Sequence, residues 1–310
     1  MTNNMIVRRS WLVVPAYDVD AIGHAQKYSP DVLVLDLEYM VAPKHKQEAR
    51  AVLGSAIRSA TESPSEVFVR VDWKTRWCDV KAAIYPELRG IVLPGPELAE
   101  EIVDLDKLIS ECEHQRGVMP GSTELALILE SPRGFWNVFK LATASSRVTA
   151  VGVGRVDLTM HLGREPQGDF RLYLYLMSRT LVVARALGKQ PLGAHWRPGS
   201  RGGIASLKDS FEAARRSWRM GFTGCLCAKP EQVIPVSEGF TPPSDEVKKA
   251  DHVLQAYQQD LQTGQFLVEV DDRTYDTFKI ARCQNILTFA QACAKRDEDK
   301  KLSMELETQQ

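Results

Sequence analysis

Short apolar runs alternate with longer segments of helical periodicity along most of this chain, and no other feature limits its possible folds as strongly. The strand-like runs are Ser10–Val14, Val32–Leu35, Val67–Val69, Gly90–Pro94, Leu125–Glu130, Val148–Asp157, Gln190–Leu192 and Gly224–Ala228. Apolar residues three and four positions apart predict helices over Ile22–Gln26, Lys46–Ala60, Pro96–Glu113, Phe135–Ala144, Tyr173–Leu187 and Ile204–Met220. Eight runs with helices mostly between them, and no block of strands alone, predict a single α/β domain, a (β/α)8 TIM barrel.

The segment after the predicted barrel is organised differently. We predict that the barrel covers residues 1–243 and that residues 244–295 form a C-terminal helical extension. Helices are predicted over Ser244–Leu261 and Tyr275–Lys295, with the strand-like run Phe266–Val270 between them. Residues 296–310 are charged and polar, a composition that favours a disordered tail.

Composition excludes several classes of protein. The formal net charge of −1 argues against nucleic acid as the main partner. Met1–Arg9 has no apolar signal-like run, and no uninterrupted apolar stretch approaches the roughly 18 residues of a membrane span. The six cysteines form no CxxC pair, so we expect buried, reduced thiols in a cytoplasmic protein with no membrane partner.

Two carboxylates follow neighbouring predicted strands. Glu130 ends the fifth run and Asp157 ends the sixth, with a helix-length segment between them. A right-handed crossover places such strands side by side, so both acids reach the same edge of the sheet. Paired carboxylates suit Mg²⁺, which takes few protein ligands and keeps positions for substrate oxygens. The alternative interpretation is two unrelated strand-end acids that are solvated or cap helices.

Other polar residues also follow predicted strands. In a barrel the active site lies at the carboxyl ends of the strands. The residues selected by this rule are Asp36, Glu38, Arg70, Asp72, Pro94, Glu130 and Asp157. Arg70 and Glu38 also fit a structural salt bridge across the mouth, and that pairing is compatible with Arg70 receiving an oxyanion.

Several motifs occur in an order that is typical of one family. They are Arg9–Pro15, Asp36–Glu38 with Val41–Pro43, Lys46 and Ala49–Arg50, Val69–Arg70 with Trp77 and Asp79, Gly90–Pro94, Glu130 with Gly134, Gly154 with Asp157 and Gly163, and Gly221–Gly224 with Pro230, Gln232 and Phe240–Pro242. Together they resemble the citrate lyase β-subunit-like branch of the HpcH/HpaI aldolase superfamily, which includes malyl-CoA and citramalyl-CoA lyases. The resemblance spans residues 9 to about 290.

The resemblance implies a (β/α)8 barrel, commonly a trimer, with Mg²⁺ on Glu130 and Asp157. It assigns catalysis to Arg70, Glu38 and Asp276, and substrate binding to Arg70, Asp36, Gly154, Arg155 and Val156. Arg70 is expected to stabilise a thioester enolate, and the backbone amides from Gly154 to Val156 are expected to hold a carboxylate. Asp276 is implied as the acid/base, reaching over a neighbouring subunit, although an acid at a helix start is also a common cap.

The chain departs from the family pattern at several positions. Tyr39 replaces an acid, Asp72 an asparagine, Ala16 a glycine, Lys229 a histidine and Gly193 an aspartate. Arg155 replaces an acid or small polar residue, and it either selects an additional substrate carboxylate or pairs with a loop acid.

The leading hypothesis is a Mg²⁺-dependent lyase that cleaves or forms a 3-hydroxyacyl-CoA, with an acyl-CoA and a 2-keto acid as partners, in a homotrimer or dimer of trimers. One alternative is an aldolase that uses free hydroxy-keto acids without CoA. Another is a barrel that has lost turnover and serves as a binding or complex subunit. A basic groove for a nucleotide, to which Lys44, His45 and Lys46 would contribute, distinguishes CoA from free-acid chemistry.

Overall fold

The computed structural model describes residues 6–154, 158, 160–163, 171–197, 202–261, 268–271 and 273–308. It divides the chain into two units. One comprises Arg8–Phe240, and the other comprises Met1–Val7 with Thr241–Gln310. Of the helices in these described ranges, none is both long enough and apolar enough to cross a bilayer.

The larger unit is built on eight parallel strands. They are β1 Ser10–Pro15, β2 Val32–Asp36, β3 Glu66–Arg70, β4 Gly90–Pro94, β5 Glu124–Leu129, β6 Val148–Val153, β7 Gln190–Leu192 and β8 Cys225–Cys227. Their order is β7-β6-β5-β4-β3-β2-β1-β8. A bridge between Leu192 and Gly224 joins β7 to β8, and the Gly193 N–H donates to the Gly224 carbonyl at 2.8 Å. The predicted eight-stranded barrel is therefore confirmed.

Helices follow most strands of this unit. They are α1 Val19–Gln26, α2 Lys46–Ala60, α3 Arg76–Ala83, α4 Ala99–Arg116, α5 Pro132–Trp136, α6 Val138–Thr143, α7 Arg171–Ala186, α8 Leu207–Met220 and α9 Val233–Phe240. The segment between β5 and β6 was predicted as one helix, but it forms the two short helices α5 and α6. α5 begins early because Pro132 occupies its first turn, where no amide donor is needed, and the Ser131 hydroxyl accepts from the Gly134 N–H.

The interior of the barrel is filled by side chains. It holds Trp11, Val13, Val32, Val34, Phe68, Val92, Ala126, Ile128, Ala150 and Leu192. At the amino-terminal end the Trp11 and Phe68 rings lie 4.8 Å apart, and the Arg8 guanidinium is 5.1 Å from the centre of the Phe68 ring. Arg8 also pairs with Glu124 at 2.6 Å and with Glu66, so this end is closed by rings and buried ion pairs. In the part of the chain that the structure describes, this leaves the carboxyl end of the barrel for a cavity.

The described residues of the smaller unit form two helices and a hairpin: α10 Ser244–Leu261, β9 Val268–Val270, β10 Arg273–Tyr275 and α11 Thr277–Thr308. Its core includes Val253, Val268, Val270 and Ile280. The composition of residues 296–310 favours disorder, whereas α11 continues to Thr308. This helix contains no Gly or Pro, and residues of high helix propensity such as Ala, Lys, Glu and Leu are frequent in it.

Candidate active site

A cavity of about 340 Å³ opens at the carboxyl ends of the strands. The side chains and backbone that line it come from strands on both sides of the mouth. The lining residues are Val13, Tyr39, Met40, Arg70, Ile128, Glu130, Gly152, Val153, Gly154, Tyr173, Leu192, Gly193, Ala194, Trp196, Gly202, Cys225, Leu226, Cys227 and Ala228. Arg70 and Glu130, both predicted from the strand-end rule, therefore reach one cavity.

Arg70 is held by a bidentate ion pair with Asp36. Its Nε donates to Asp36 Oδ1 at 2.7 Å and its Nη2 donates to Oδ2 at 2.8 Å. The two residues are register partners at the ends of β2 and β3, which explains why their side chains meet. Nη1 has no hydrogen-bonding partner among the described residues. That donor is therefore available to an oxygen in the cavity.

Asp36 does not line the cavity. It is fully buried, and its carboxylate also accepts the backbone N–H groups of Glu38 and Met40, each at 2.8 Å. Both oxygens are thus occupied by Arg70 and by the loop after β2. We infer that Asp36 positions Arg70, in place of the direct substrate-binding role expected from the sequence.

The guanidinium of Arg70 is stabilised in its charged form. Burial by itself lowers the pKa of an arginine, but the hydrogen bond and charge of Asp36, with the charges of Glu38 and Glu130, raise the pKa of Arg70 above its ordinary value. Such a fixed, desolvated cation stabilises an oxyanion more strongly than an exposed one does.

Glu38 and Tyr39 lie beside this arginine. Glu38 Oε2 is 3.4 Å from the Arg70 Nε, so the salt bridge foreseen between these two residues is present, although Asp36 is the closer partner. The Tyr39 ring centre lies 5.2 Å from the Arg70 guanidinium carbon, a cation–π distance. Tyr39 also lines the cavity, where the family pattern places an acid.

The Glu130 carboxylate fits between two glycines. A Cβ placed on Gly95 would lie 3.4 Å from Glu130 Oε2, and a Cβ on Gly154 would lie 2.9 Å from Oε1. A side chain at residue 154 would therefore displace the carboxylate. The Gly154 N–H already donates to the Leu129 carbonyl at 2.8 Å. Gly154 thus leaves the space that the Glu130 carboxylate occupies, and its own amide is paired with Leu129. Binding of a substrate carboxylate by the amides from Gly154 to Val156 stays a prediction, because Arg155 and Val156 lie outside the described residues.

The donor set suits a hard divalent cation. Asp157, Arg155 and Val156 lie outside the described residues. Among the lining residues that are described, Glu130 is the one carboxylate, and no group of three His, Cys, Asp or Glu side chains in the described ranges is arranged to hold a metal ion. Mg²⁺ commonly takes one or two carboxylates and fills its other positions with water and substrate oxygens, so Glu130 fits such an ion.

Lys46 is a structural residue. Its ammonium donates to the carbonyls of Leu37 at 2.9 Å and Glu38 at 3.3 Å, forms an ion pair with Asp72, and is only 8% exposed. Burial would raise the pKa of Asp72, but the Lys46 ammonium and the Lys74 amide outweigh it and lower that pKa. Lys46 therefore cannot serve the nucleotide groove to which the sequence assigned it.

Asp276 lies in the smaller unit and caps α11. Its Oδ1 accepts the Lys279 N–H at 2.9 Å, and its carbonyl accepts the Ile280 N–H at 3.0 Å. The interpretation as a cap thus has direct support, and the catalytic role implied by the family remains a proposal.

Sequence reasoning missed the apolar part of the lining. Met40, Tyr173, Trp196 and Leu226 all border the cavity. Two of them could have been found from their positions in the sequence, because Met40 and Trp196 each lie four residues after the end of a strand.

Comparisons with known proteins agree with this architecture. A family model described as HpcH/HpaI aldolase/citrate lyase matches residues 9–230. Citrate lyase subunit beta of Haemophilus influenzae is 26% identical over 292 residues, which cover 93% of this chain and 98% of that protein. The mitochondrial citramalyl-CoA lyase of Homo sapiens is 26% identical over 299 residues, covering 92% of this chain and 86% of that protein.

A solved structure is also similar. The protein CitE from Mycobacterium tuberculosis, in complex with magnesium, acetoacetate and coenzyme A, has a TM-score of 0.72 at 22% identity, covering 92% of this chain and 98% of that chain. At this identity the similarity shows the fold.

Proposed function

We propose, from the premise that this chain belongs to the HpcH/HpaI aldolase/citrate lyase family, that it is a Mg²⁺-dependent carbon–carbon lyase. Its reaction is the cleavage or formation of a 3-hydroxyacyl-CoA, with an acyl-CoA and a 2-keto acid on the other side. Relatives named as lyases and the magnesium in the similar solved structure support this proposal. The observation that carries it is the placement of a charge-stabilised Arg70 and the Glu130 carboxylate on one cavity.

Glu130 would hold the ion, with Asp157 as the proposed second carboxylate. Bound there, Mg²⁺ supplies Lewis-acid polarisation of the keto acid oxygens. Gly95 and Gly154 leave the space that the Glu130 carboxylate needs in order to face the cavity.

Arg70 acts on the other half of the substrate. When the C2–C3 bond breaks, its electron pair moves toward the thioester carbonyl and negative charge develops on that oxygen. The Nη1 of Arg70 can donate to this oxyanion, while Asp36 fixes the plane of the guanidinium. The proton of the 3-hydroxyl leaves as that carbon becomes a carbonyl, and C2 takes up a proton to complete the acyl-CoA. We assign these two proton transfers to Asp276. The Glu38 carboxylate helps to keep the guanidinium of Arg70 in its charged form.

A second candidate is an aldolase that uses free hydroxy-keto acids. The observation that favours it is the burial of Lys46, which removes one of the cations expected to contact a nucleotide. Lys44 remains exposed, and His45 pairs with Glu48 at 2.8 Å.

Exchange of α-protons with deuterium tests the proposal and separates the two candidates. Acetyl-CoA incubated with the protein, Mg²⁺ and pyruvate in D₂O should incorporate deuterium at C2, whereas free acetate should not. Exchange should disappear in Glu130→Gln and persist in Glu111→Gln, an exposed acid on α4. Exchange at C3 of pyruvate without exchange into acetyl-CoA would favour the aldolase, and exchange into neither compound would refute both candidates.

A further inference from the structure

One wall of the cavity is apolar. Leu192 and Leu226 come from β7 and β8, Tyr173 comes from α7, and Trp196 follows β7. Leu192 continues the packed interior of the barrel, and Leu226 packs against it. Of the described lining residues, only Arg70 and Glu130 carry a charge, and neither belongs to this wall.

The wall is continuous because Gly152 carries no side chain. A Cβ on Gly152 would lie 2.7 Å from the Ile128 Cδ1 and 3.2 Å from the Leu192 Cβ. Ile128 on β5 therefore approaches Leu192 on β7 across the intervening strand. The apolar surface thus extends from just below Glu130 to the end of β7.

Topology decides which half of the substrate meets this wall. In the sheet order β7-β6-β5-β4-β3, Glu130 at the end of β5 is two strands from β7, and Arg70 at the end of β3 is four strands away. The proposed keto acid position is at Glu130 and the proposed thioester position is at Arg70. The substituent on the keto acid is therefore the group that lies against the wall.

We propose that the 2-keto acid of this enzyme carries an apolar substituent of branched-aliphatic or aromatic size, which docks against Leu192, Tyr173 and Trp196. This inference rests on the proposed lyase function. A second substrate carboxylate would be desolvated along this wall without a cationic partner among its described residues. The opposite expectation, that Arg155 selects an additional carboxylate, is an outcome of the test.

A substrate series tests the proposal with the full chain. Condensation with acetyl-CoA and Mg²⁺ is measured for pyruvate, oxaloacetate, 4-methyl-2-oxopentanoate and phenylpyruvate. An apolar pocket discriminates by roughly tenfold or more for each methylene that it accommodates, so kcat/KM for at least one of the two large apolar acids should exceed that of pyruvate by about a hundredfold. Oxaloacetate should be the poorest substrate. A preference for pyruvate or oxaloacetate overturns the proposal.

A variant of Trp196 tests whether the substituent of the keto acid binds against this indole. Trp196→Ala should lower the ratio of kcat/KM for the preferred large acid over pyruvate by about tenfold. Trp77→Ala removes an exposed indole on α3, outside the lining, and should alter neither value. An equal loss for all acids in Trp196→Ala would show that the indole does not contact the substituent.

Equilibrium binding separates failure of this inference from failure of the lyase proposal. Calorimetric titration of the wild-type protein with each keto acid, in the presence of Mg²⁺ and without acetyl-CoA, needs no turnover. Tighter binding of the large apolar acids supports the pocket even if no condensation occurs, in which case only the lyase proposal fails. Equal or weaker binding of these acids than of pyruvate refutes the pocket.

Discussion

Arg70 illustrates how a single residue combines structural and chemical roles. Two of its nitrogens are fixed by Asp36, which leaves Nη1 for the cavity. Lysine carries the same charge but cannot reproduce this planar fork.

We predict that Arg70→Lys lowers kcat by about ten- to a thousandfold, with a smaller change in KM, because the lost contact is made mainly to the developing oxyanion. Steady-state kinetics measure the change. Arg89→Lys is the matched control, because Arg89 pairs with Glu124 at the opposite end of the barrel. The kcat of this variant should equal that of the wild-type enzyme. Normal kcat in Arg70→Lys would show that the planar guanidinium does not stabilise the developing oxyanion.

The glycine beside Glu130 allows a second test at this scale. In Gly154→Ala the new Cβ would crowd Glu130 Oε1, so the carboxylate must move and the affinity for Mg²⁺ should fall by at least about tenfold. Calorimetric titration with Mg²⁺ measures the change. Gly23→Ala is the control, because a Cβ in helix α1 meets no atom within 4 Å. Equal affinity for Mg²⁺ in both variants would count against Glu130 as a ligand.

The sequence predicted that Arg70 and Glu130 reach the cavity, but it could not predict the roles of the polar residues around them. Strand ends are visible as apolar runs, so Arg70 and Glu130 were found. Lys46 was misinterpreted because lysines at helix starts are usually solvated, whereas this one is neutralised by carbonyls and Asp72 from distant segments. Such long-range pairing leaves no local signal in the sequence.

At the scale of elements, a buried ion pair joins α4 to the starts of β5 and β6. The Arg147 guanidinium donates to both oxygens of Glu113, which also accepts the backbone N–H groups of Gly121 and Thr123. Burial would raise the pKa of Glu113, but these bonds lower it from 4.5 to about 2. The folded protein therefore binds the Glu113 proton more weakly than the unfolded chain.

This network predicts a pH dependence of stability. Because the pKa is depressed in the folded state, the stabilisation is complete above pH 4.5 and is lost as the pH falls toward 2. Glu113→Gln should lower the free energy of unfolding at pH 7 by roughly 1–3 kcal/mol and flatten its acid dependence. Urea unfolding between pH 3 and 7 measures both effects. Glu111→Gln, an exposed neighbour, is the control, and equal stability of the two variants would contradict the prediction.

Long helices and strands with a regular pattern of apolar residues were easier to predict from the sequence than short ones. All eight strands and the long helices were foreseen, because a repeat over many residues outweighs local exceptions. α3 and α9 were missed, since each has only eight residues and little room for a repeat. The charged end of α11 was taken for disorder, yet its residues are also good helix formers.

At the scale of the whole molecule, the proposed acid/base Asp276 belongs to the smaller unit, whereas Arg70 and Glu130 belong to the barrel. The family resemblance implies that this carboxylate reaches a neighbouring subunit, and we propose such a shared site in a homotrimer. Asparagine is as good an N-cap as aspartate, so Asp276→Asn removes the carboxylate and preserves the cap.

Mixed oligomers test the shared site. Asp276→Asn and Glu130→Gln should each be nearly inactive alone. In randomly mixed oligomers of equal amounts, about one quarter of the sites would combine an intact barrel with an intact neighbouring tail, so activity should recover to about a quarter of that of wild type. Activity after mixing, with subunit exchange verified by mass spectrometry, is the measurement. No recovery in verified mixtures would mean that Asp276 acts within its own chain or only as a cap.

The closed amino-terminal end of the barrel has a kinetic consequence. Trp11 and Phe68 fill the interior below the cavity and Arg8 is paired beneath them, so among the described residues the cavity opens at the carboxyl ends of the strands. In the proposed cleavage both products must depart by the route through which the substrate arrived. The molecule nearer the exit leaves first, and the deeper one waits behind it. A high concentration of the product that leaves first should therefore delay release of the product bound deeper and slow turnover, because both leave through the same opening in a fixed order.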